Sequence, residues 1–375
     1  MRGRPTWAEI DLDALVGNYR ALAGLLDPGR RLIPVVKADA YGHGAVHVSR
    51  ALVRAGATAL AVAMVEEGVA LRDSGITLEL LVLQGAWPGQ ETQVVEYNLT
   101  PALFSFEGAR RLEQVAAARS VQVPVHIKID SGMTRLGAPW NDLGAFLDSL
   151  REAANIRVAG TFSHLACADE LESRFTRKQL SRFGHALQEL RKAGIDPGEI
   201  HVGNSAGLLY WDELRSWGAR PGIALYGYPP APQRCPVSLK PVLTLKSRIG
   251  RILTVPPRES VGYGRRFIAG RQTRTATIPA GYADGYRRSL GGKARVIIRD
   301  RLADVLGTIS MDMIVADVTD IPEADVGDDV ILLGSSPGCR VDAADWASLL
   351  GTIPYEVLCG IGPRVPRIYL PASLP

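Results

Sequence analysis

The feature that most constrains the fold is an alternation of short apolar segments with helix-like segments through the first two thirds of the chain. The apolar segments have the length and the β-branched content of buried strands. Eight strands are predicted, at residues 32–36, 59–64, 80–83, 100–103, 121–129, 158–163, 199–202 and within 218–225, with helices at 45–53, 65–73, 106–118 and 140–153 and up to 193. This pattern predicts a TIM-type (β/α)8 barrel, because a doubly wound sheet usually has fewer strands.

The last third has a different pattern. From about Pro241 the sequence alternates as in β-strands, with candidates at 243–255, 274–278, 294–298, 303–309, 314–318 and 329–333 and one helix at 342–350. Short strands separated by Gly, Pro and Asp indicate a small, mostly-β domain, and the prolines between 229 and 236 indicate a linker. We therefore predict an α/β chain with a barrel over residues 11–235 and a mostly-β domain over 236–375.

Composition excludes several classes of protein. The net charge of +4 over 375 residues, without a basic cluster, gives no indication of nucleic-acid binding. The four cysteines are scattered without a CxxC pair, so we expect no metal site, no disulfide framework and a reducing compartment. With neither a secretory signal nor an apolar run of about 18 residues, we expect a cytoplasmic protein that does not enter a membrane.

Polar residues follow five of the predicted strands. In (β/α)8 barrels the chemistry lies at the C-terminal ends of the strands. Each residue alone is weak evidence, because a histidine at a strand end is more often a hydrogen-bonded structural residue. Together they predict one active rim, formed by Lys37, Lys128, Asp130, His164, His201, Asn204, Ser205 and Arg220.

Lys37 ends the first apolar run, and Gly42 and Gly44 break the sequence that follows. A lone lysine at a strand end usually packs its stem and extends its ammonium into water. The alternative is a Schiff-base lysine, whose amine condenses with an aldehyde.

The residues around Lys37 favour the second interpretation. Residues 36–44, Val-Lys-Ala-Asp-Ala-Tyr-Gly-His-Gly, closely resemble the lysine motif of the alanine racemases, which bind pyridoxal 5'-phosphate (PLP). The resemblance extends over nearly the whole chain, through residues 6–11, 126–137, 163–166, 201–206, 220–227, 262–264, 281–286, 310–312 and 354–359. So many motifs in order are specific to the family, whereas the lysine motif alone is only suggestive.

PLP requires a lysine, a phosphate cradle, a group at its pyridine nitrogen and walls on its ring. The resemblance assigns the aldimine to Lys37 and the pyridine nitrogen to Arg220. It also implies cofactor contacts from Tyr41, His164, Asn204, Ser205, Gly222, Ile223 and Tyr355. The Asn204–Ser205 pair can equally be an ordinary helix N-cap.

The resemblance further implies a two-base racemisation of alanine, with Lys37 as the base for the D-isomer and Tyr263 for the L-isomer. In the family this tyrosine comes from the partner subunit of a homodimer. The N-terminal strand, predicted here at Pro5–Ile10 within residues 1–10, joins the second domain in the family. A phenolate needs cationic neighbours at neutral pH, and His164 and Arg220 are the candidates. On its own, Tyr263 would pass for a packed strand aromatic.

The resemblance implies that Arg135 and the backbone of Met311 bind the substrate carboxylate. Lys128 matches a lysine that many members carry as a carbamate. Tyr282 and Tyr286 are expected at the entrance to the site. The chain departs from the family at Gly262, where serine is common, and at Thr134, where glycine is common. Rival functions are a PLP decarboxylase, a regulatory PLP protein and a serine racemase. An acid would replace Arg220 in the first and the second domain would be missing in the second, but selectivity between alanine and serine stays open.

Overall fold

A computed structural model describes residues 4–371 of the chain. These residues form two compact units. The barrel unit comprises residues 15–40 and 45–240, and the β unit comprises the chain up to Ala14, Tyr41–Gly44, and the chain from Pro241 onward. The division falls after Lys240, a few residues beyond the predicted boundary. It also assigns the short segment Tyr41–Gly44, which follows Lys37 in the sequence, to the β unit.

The chain up to Lys240 alternates strands and helices. In order they are β1 (Thr6–Asp11), α1 (Leu12–Ala23), α2 (Lys37–Gly42), α3 (Ala45–Arg54), β2 (Ala59–Val62), α4 (Val65–Asp73), β3 (Glu79–Val82), α5 (Glu91–Glu96), β4 (Thr100–Leu103), α6 (Phe106–Ala118), β5 (Val123–Asp130), β6 (Ala138–Pro139), α7 (Gly144–Glu152), β7 (Ile156–Phe162), α8 (Arg174–Lys192), β8 (Glu199–Gly203), α9 (Ser205–Tyr210) and β9 (Gly218–Ala219). Single 3-10 turns lie before β9 at Asp212–Leu214 and after it at Ile223–Tyr226 and Pro232–Arg234.

The barrel unit is built on a parallel sheet in the order β2-β3-β4-β5-β7-β8-β9, with β6 beside β5. The predicted strand 32–36 is not a regular strand here. It makes two isolated parallel bridges, Leu32 with Ala219 and Val35 with Ala61, and so connects the two ends of the sheet. The (β/α)8 fold class predicted from the sequence is confirmed.

Two features of the sequence explain the helices of the barrel unit, namely the residues that cap their N-termini and the apolar residues that form a buried face. The Ser105 hydroxyl accepts the N–H of Gly108 and so caps α6, and Ser173 caps α8 in the same way. In α8 the buried residues recur at helical spacing on one face, which therefore packs inward: Phe183, Ala186, Leu187 and Leu190.

The remaining chain is mostly strand, as predicted. It contains β10 (Leu243–Arg248), β11 (Arg251–Val255), β12 (Ser260–Val261), β13 (Phe267–Ile268), β14 (Thr273–Ile278), β15 (Arg295–Ile298), β16 (Arg301–Asp304), β17 (Ile314–Asp317), β18 (Asp329–Ser336), β19 (Cys339–Val341), α10 (Ala343–Leu350), α11 (Pro354–Cys359) and β20 (Arg367–Leu370). Single 3-10 turns lie at Tyr263–Arg265, Tyr282–Asp284 and Arg288–Leu290.

The described residues of the β unit form three sheets. The largest has the order β16-β15-β18-β10-β1-β20, with β19 beside β18, and the others are β11-β14-β17 and β12-β13. The N-terminal strand β1 lies between β10, to which it is antiparallel, and β20, to which it is parallel. The single strand predicted over 243–255 is wrong: it is divided at Ile249–Gly250 into β10 and β11, which belong to different sheets.

Within residues 4–371, no helix combines the length and the apolar composition needed to cross a membrane.

Candidate active site

Lys37 is the first residue of the short segment α2, whose backbone forms a left-handed turn. The φ angles of Ala38–Tyr41 lie between 51° and 54°, a region that costs non-glycine residues about 1–2 kcal/mol each. The Glu67 carboxylate, at the start of α4, accepts the N–H of Ala38 at 2.7 Å through one oxygen and that of Ala63 at 2.7 Å through the other. Glu67 therefore fixes the first peptide after Lys37.

Positive groups are concentrated around the C-terminal ends of the barrel strands. Burial, followed by the charges of Arg220, Arg135 and Lys37, lowers the pKa of Lys128 to about 8. The Lys128 ammonium donates to the carbonyl of Leu83 at 3.1 Å. Such a rim favours anionic ligands, because each added negative charge relieves the repulsion among the cations.

His164 is in the same environment but carries no charge. Burial, together with the charges of Arg220, Arg135, Lys128 and Lys37, lowers its pKa to about 3. This pKa favours the neutral imidazole at physiological pH, and a role of His164 as a cationic neighbour of a tyrosinate stays a prediction. Of the two residues predicted to be cationic neighbours of the tyrosinate, Arg220 is the one that is protonated at neutral pH.

Arg220 is held rigidly inside the barrel. It is 4% exposed, and burial lowers its pKa to about 9, so it stays protonated at neutral pH. One terminal nitrogen donates to the ring Nδ1 and to the carbonyl of His201, both at 2.7 Å, and the other donates to the carbonyl of Ser163 at 2.7 Å. Its guanidinium also lies 4.8 Å from the ring centroid of Phe162.

The start of α9 faces the loop after β9. The buried Ser205 hydroxyl oxygen accepts the N–H groups of Gly222 at 3.0 Å and Ala224 at 3.2 Å. The Asn204 side chain caps α9 by accepting the N–H of Gly207 at 2.9 Å. Asn204 thus has the capping role that the sequence had left as an alternative.

The loop that carries Arg135 is shaped by Asp130, at the end of β5. One carboxylate oxygen accepts the N–H groups of Gly132 at 2.8 Å and Thr134 at 3.1 Å. Thr134 has a φ of 54°, in the left-handed region that favours glycine. The backbone therefore explains why glycine is common here in the family that the sequence resembles, and Arg135 itself is exposed.

The residues predicted in the β unit are more open. Tyr263 is 72% exposed and Met311 is 51% exposed. The carbonyl of Tyr263 accepts the Thr308 hydroxyl at 2.9 Å. Gly262, with φ 75° and ψ −175°, occupies a conformation almost restricted to glycine. The departure from serine at this position therefore matches the backbone that presents Tyr263.

Tyr41 and Tyr355 lie together in the β unit, with ring centroids 5.9 Å apart. Burial, followed by the neighbouring Tyr355 and Cys359, raises the pKa of Tyr41 far above its usual value. Its phenol thus keeps its proton and is a hydrogen-bond donor, as an anion such as phosphate requires.

Tyr286 does not line an entrance, contrary to the sequence-based expectation. It is fully buried, and its ring packs edge-on against Trp346 at 4.6 Å between centroids. Tyr282, by contrast, is 40% exposed. Only Tyr282 of the pair has the accessibility that an entrance residue needs.

His126 lies in the site although no motif assigned it a role. Its Nδ1 lies 2.7 Å from Nε2 of His201, inside the barrel. A signal was present, because His126 and Lys128 are two residues apart on β5 and so project from the same face of the strand. Its partner could not be read from the sequence, because the contact depends on how β5 and β8 are placed in the sheet.

The donors of the barrel unit fit PLP. Because Ser205 Oγ accepts two N–H groups, its own O–H is directed to a further acceptor, as a phosphate oxygen would be. Arg220 can only donate, which matches a basic ring nitrogen, and Lys37 supplies an amine. The barrel and these donors fit the class of PLP-binding (β/α)8 proteins.

Comparisons with known proteins identify the family. The model of the alanine racemase N-terminal domain matches residues 10–230, and that of the C-terminal domain matches residues 242–369. This chain belongs to the alanine racemase family. It is 45% identical to the alanine racemase of Geobacter sulfurreducens, over 100% of this chain and 99% of that protein.

Solved structures agree with this assignment. Alanine racemase from Bacillus anthracis with bound L-Ala-P has a TM-score of 0.92 and 32% identity, covering 100% of this chain and 97% of that chain. Alanine racemase from Bartonella henselae with covalently bound pyridoxal phosphate has a TM-score of 0.89 and 30% identity, covering 98% of this chain and 100% of that chain.

Proposed function

We propose that this protein is a PLP-dependent isomerase that interconverts L-alanine and D-alanine. The observation that carries the proposal is buried Arg220, whose three acceptors, two on His201 and one on Ser163, are all neutral. The guanidinium therefore keeps its charge and has donors left for a ring nitrogen. A donor-only group leaves that nitrogen unprotonated, which favours prompt return of a proton to the same carbon over transamination.

Racemisation removes a proton from one face of Cα and delivers one to the other, so it needs a group on each face. We assign the Lys37 amine to D-alanine and the Tyr263 phenol oxygen to L-alanine. When bound, PLP supplies an electron sink for the charge that develops at Cα. Glu67 fixes the peptide that follows Lys37 in the chain. The conformation of Gly262 sets the backbone that carries the Tyr263 phenol.

We propose that Arg135 and the backbone of Met311 hold the substrate carboxylate. The positive rim around Arg135 supports its part, because a carboxylate lowers the repulsion among these cations. We assign the phosphate to hydroxyl and backbone N–H donors, which form charge-assisted hydrogen bonds to an anion: Tyr41, Ser205, Gly222, Ile223 and Tyr355.

Lys128 is our candidate for a carbamate. Carbamate formation joins an unprotonated amine to CO₂ and releases a proton. Because the pKa of Lys128 is lowered to about 8, a useful fraction of its amine is unprotonated near neutral pH. The product is an anion that can pair with Arg135, whereas the ammonium repels it.

We infer that the active form is a homodimer in which Tyr263 serves the site of the partner. The 72% exposure of Tyr263 supports this, because a base must be shielded from water to act. A cytoplasmic location and the supply of D-alanine for peptidoglycan belong to the same proposal.

The test is exchange of the Cα proton of L-alanine and D-alanine in D₂O, with wild type and Tyr263→Phe. We expect wild type to exchange both isomers and the variant to exchange D-alanine but not L-alanine. Racemisation by Tyr263→Phe at the wild-type rate would show that the second base lies elsewhere.

The control is Tyr97→Phe, which removes a phenol hydroxyl far along the sequence from every assigned residue, and we expect it to behave as wild type. If wild type itself exchanges neither isomer, the racemase function is wrong and a regulatory PLP protein becomes the better description.

A further inference from the structure

A line of four side chains crosses the interior of the barrel unit. Arg220 Nη1 lies 2.7 Å from Nδ1 of His201, and Nε2 of His201 lies 2.7 Å from Nδ1 of His126. His126 Nε2 lies 3.2 Å from Oε1 of Glu79, within ion-pair distance but outside hydrogen-bond geometry, and within the described residues neither buried atom has a hydrogen-bond partner. The line thus begins after β9, crosses β8 and β5, and ends at the first residue of β3.

The two ends of the line fix its protons. An arginine only donates, so Nδ1 of His201 must accept. Burial, and then the positive charge of Arg220, lowers the pKa of His201 well below its usual value, so the ring is neutral with its single proton on Nε2. That proton faces Nδ1 of His126, and the proton of His126 must then be on Nε2, facing the acceptor Glu79.

Glu79 is ionised and so attracts the His126 N–H that faces it. Burial alone would raise its pKa, but His126 and the Arg31 guanidinium outweigh burial and lower it to about 2. Arg31 donates to Oε2 of Glu79 at 2.7 Å, which leaves Oε1 for His126. Arg31 also donates to Glu199, at 3.1 Å between Nε and Oε1.

We propose that Glu79 and His126 are positioning residues for the racemase reaction. They hold His201 in the tautomer that accepts from Arg220, and thereby fix which guanidinium hydrogens remain for the cofactor ring nitrogen. Both hydrogens of Arg220 Nη1 are used by His201, so rotation of the group would break two buried hydrogen bonds. This inference rests on the proposed function only for its effect on rate.

Glu79→Gln is the informative substitution. Arg31 selects the amide oxygen of the new glutamine, which turns the NH₂ group toward His126 Nε2. His126 must then accept there and carry its proton on Nδ1, so His201 must carry its own on Nδ1, where it opposes an Arg220 N–H. The matched control is Glu199→Gln, which removes the same charge beside Arg31, because the Glu199 carboxylate is bound by Arg31 and is not hydrogen-bonded to either histidine within the described residues.

The primary measurement is ¹⁵N NMR of the holoenzyme with ring-labelled histidine. In wild type and Glu199→Gln we expect both His126 and His201 to be neutral with the proton on Nε2. In Glu79→Gln we expect His126 to move its proton to Nδ1. The rate kcat should fall about tenfold in Glu79→Gln, the loss of one buried hydrogen bond, with KM for alanine unchanged and both constants near wild type in Glu199→Gln.

A wild-type spectrum with a proton on Nδ1 of either ring overturns the inference, even if Glu79→Gln does not fold. An unchanged His126 spectrum in folded Glu79→Gln overturns it too, as does an equal loss of kcat in both variants. Because the tautomers are read without turnover, a wild-type protein that does not racemise alanine would refute the proposed function while the positioning line is still tested.

Discussion

The candidate residues of the barrel unit and of the β unit differ in how they are held. In the barrel unit Arg220 is 4% exposed and is fixed by three hydrogen bonds, whereas in the β unit Tyr263 is 72% exposed and its presentation depends on the conformation of Gly262. A buried cation is costly unless its donors are satisfied, so the barrel half must be organised before ligand arrives. An exposed phenol can bind water instead, so it needs protein hydrogen-bond partners only when a second surface covers it.

The largest expected effect tests whether that second surface is another copy of the chain. Lys37→Ala and Tyr263→Phe should each lose racemisation. After the two variants are mixed under conditions that allow subunit exchange, activity should return to about one quarter of wild type, since half of randomly formed dimers are mixed and each has one intact site. Initial racemisation rates before and after exchange measure it.

The outcome separates two arrangements. If Tyr263 acts within its own chain, a mixed dimer has no intact site and no activity returns. Mixing two preparations of Tyr263→Phe provides the control for the effect of the exchange procedure itself.

The positive rim of the barrel unit predicts a pH dependence. The pKa of Lys128 is lowered from 10.5 to about 8, so between these values the unfolded chain binds the proton and the folded chain does not. Stability of the unmodified protein therefore rises with pH through this window, and the full cost of the charge is present below pH 8. Relative to Lys128→Met, wild type should gain roughly 3 kcal/mol.

Urea unfolding of both proteins in CO₂-free buffers across that window measures the difference, and parallel curves would contradict the assignment. Bicarbonate at neutral pH should stabilise wild type but not Lys128→Met, because only the former has an amine to convert to a carbamate.

The turn after Lys37 gives a smaller effect. Glu67→Ala removes the acceptor of the Ala38 and Ala63 N–H groups, and we expect a loss of about 2 kcal/mol of stability. Hydrogen exchange of the peptide containing residues 38–41 should be faster. Glu66→Ala is the matched control, since Glu66 lies in the same first turn of α4 but bonds Gln90 at the surface.

How far the sequence predicts this molecule depends on the range of the interactions involved. The bounds of α4, α6 and β4 are as predicted, because local apolar patterns and caps set them. The left-handed turn at Ala38–Tyr41 could not be predicted, because its residue types do not favour that region and Glu67 stabilises it from a distant position.

The candidate site shows the same limit. Lys37 and Arg220 could be found because each belongs to a local motif. The line from His201 through His126 to Glu79 joins three strands, and whether its atoms meet depends on the placement of those strands in the sheet. The neutral state of His164 likewise follows from burial among four cations, which no local motif records.

The smallest effect concerns the loop that carries Arg135. Thr134 is β-branched and has a φ of 54°, so Thr134→Gly should relieve strain and, after the larger entropy of unfolded glycine is subtracted, raise stability by about 1 kcal/mol. The Asp130 contact to its N–H is retained, since it involves only backbone at residue 134. Urea unfolding measures the change, with Thr134→Ala as the control that keeps a Cβ and should gain less. Equal gains in the two variants would locate the strain in the branched side chain rather than in the backbone. A loss of stability in Thr134→Gly would contradict the prediction and show that the restricted backbone of Thr134 stabilises the loop.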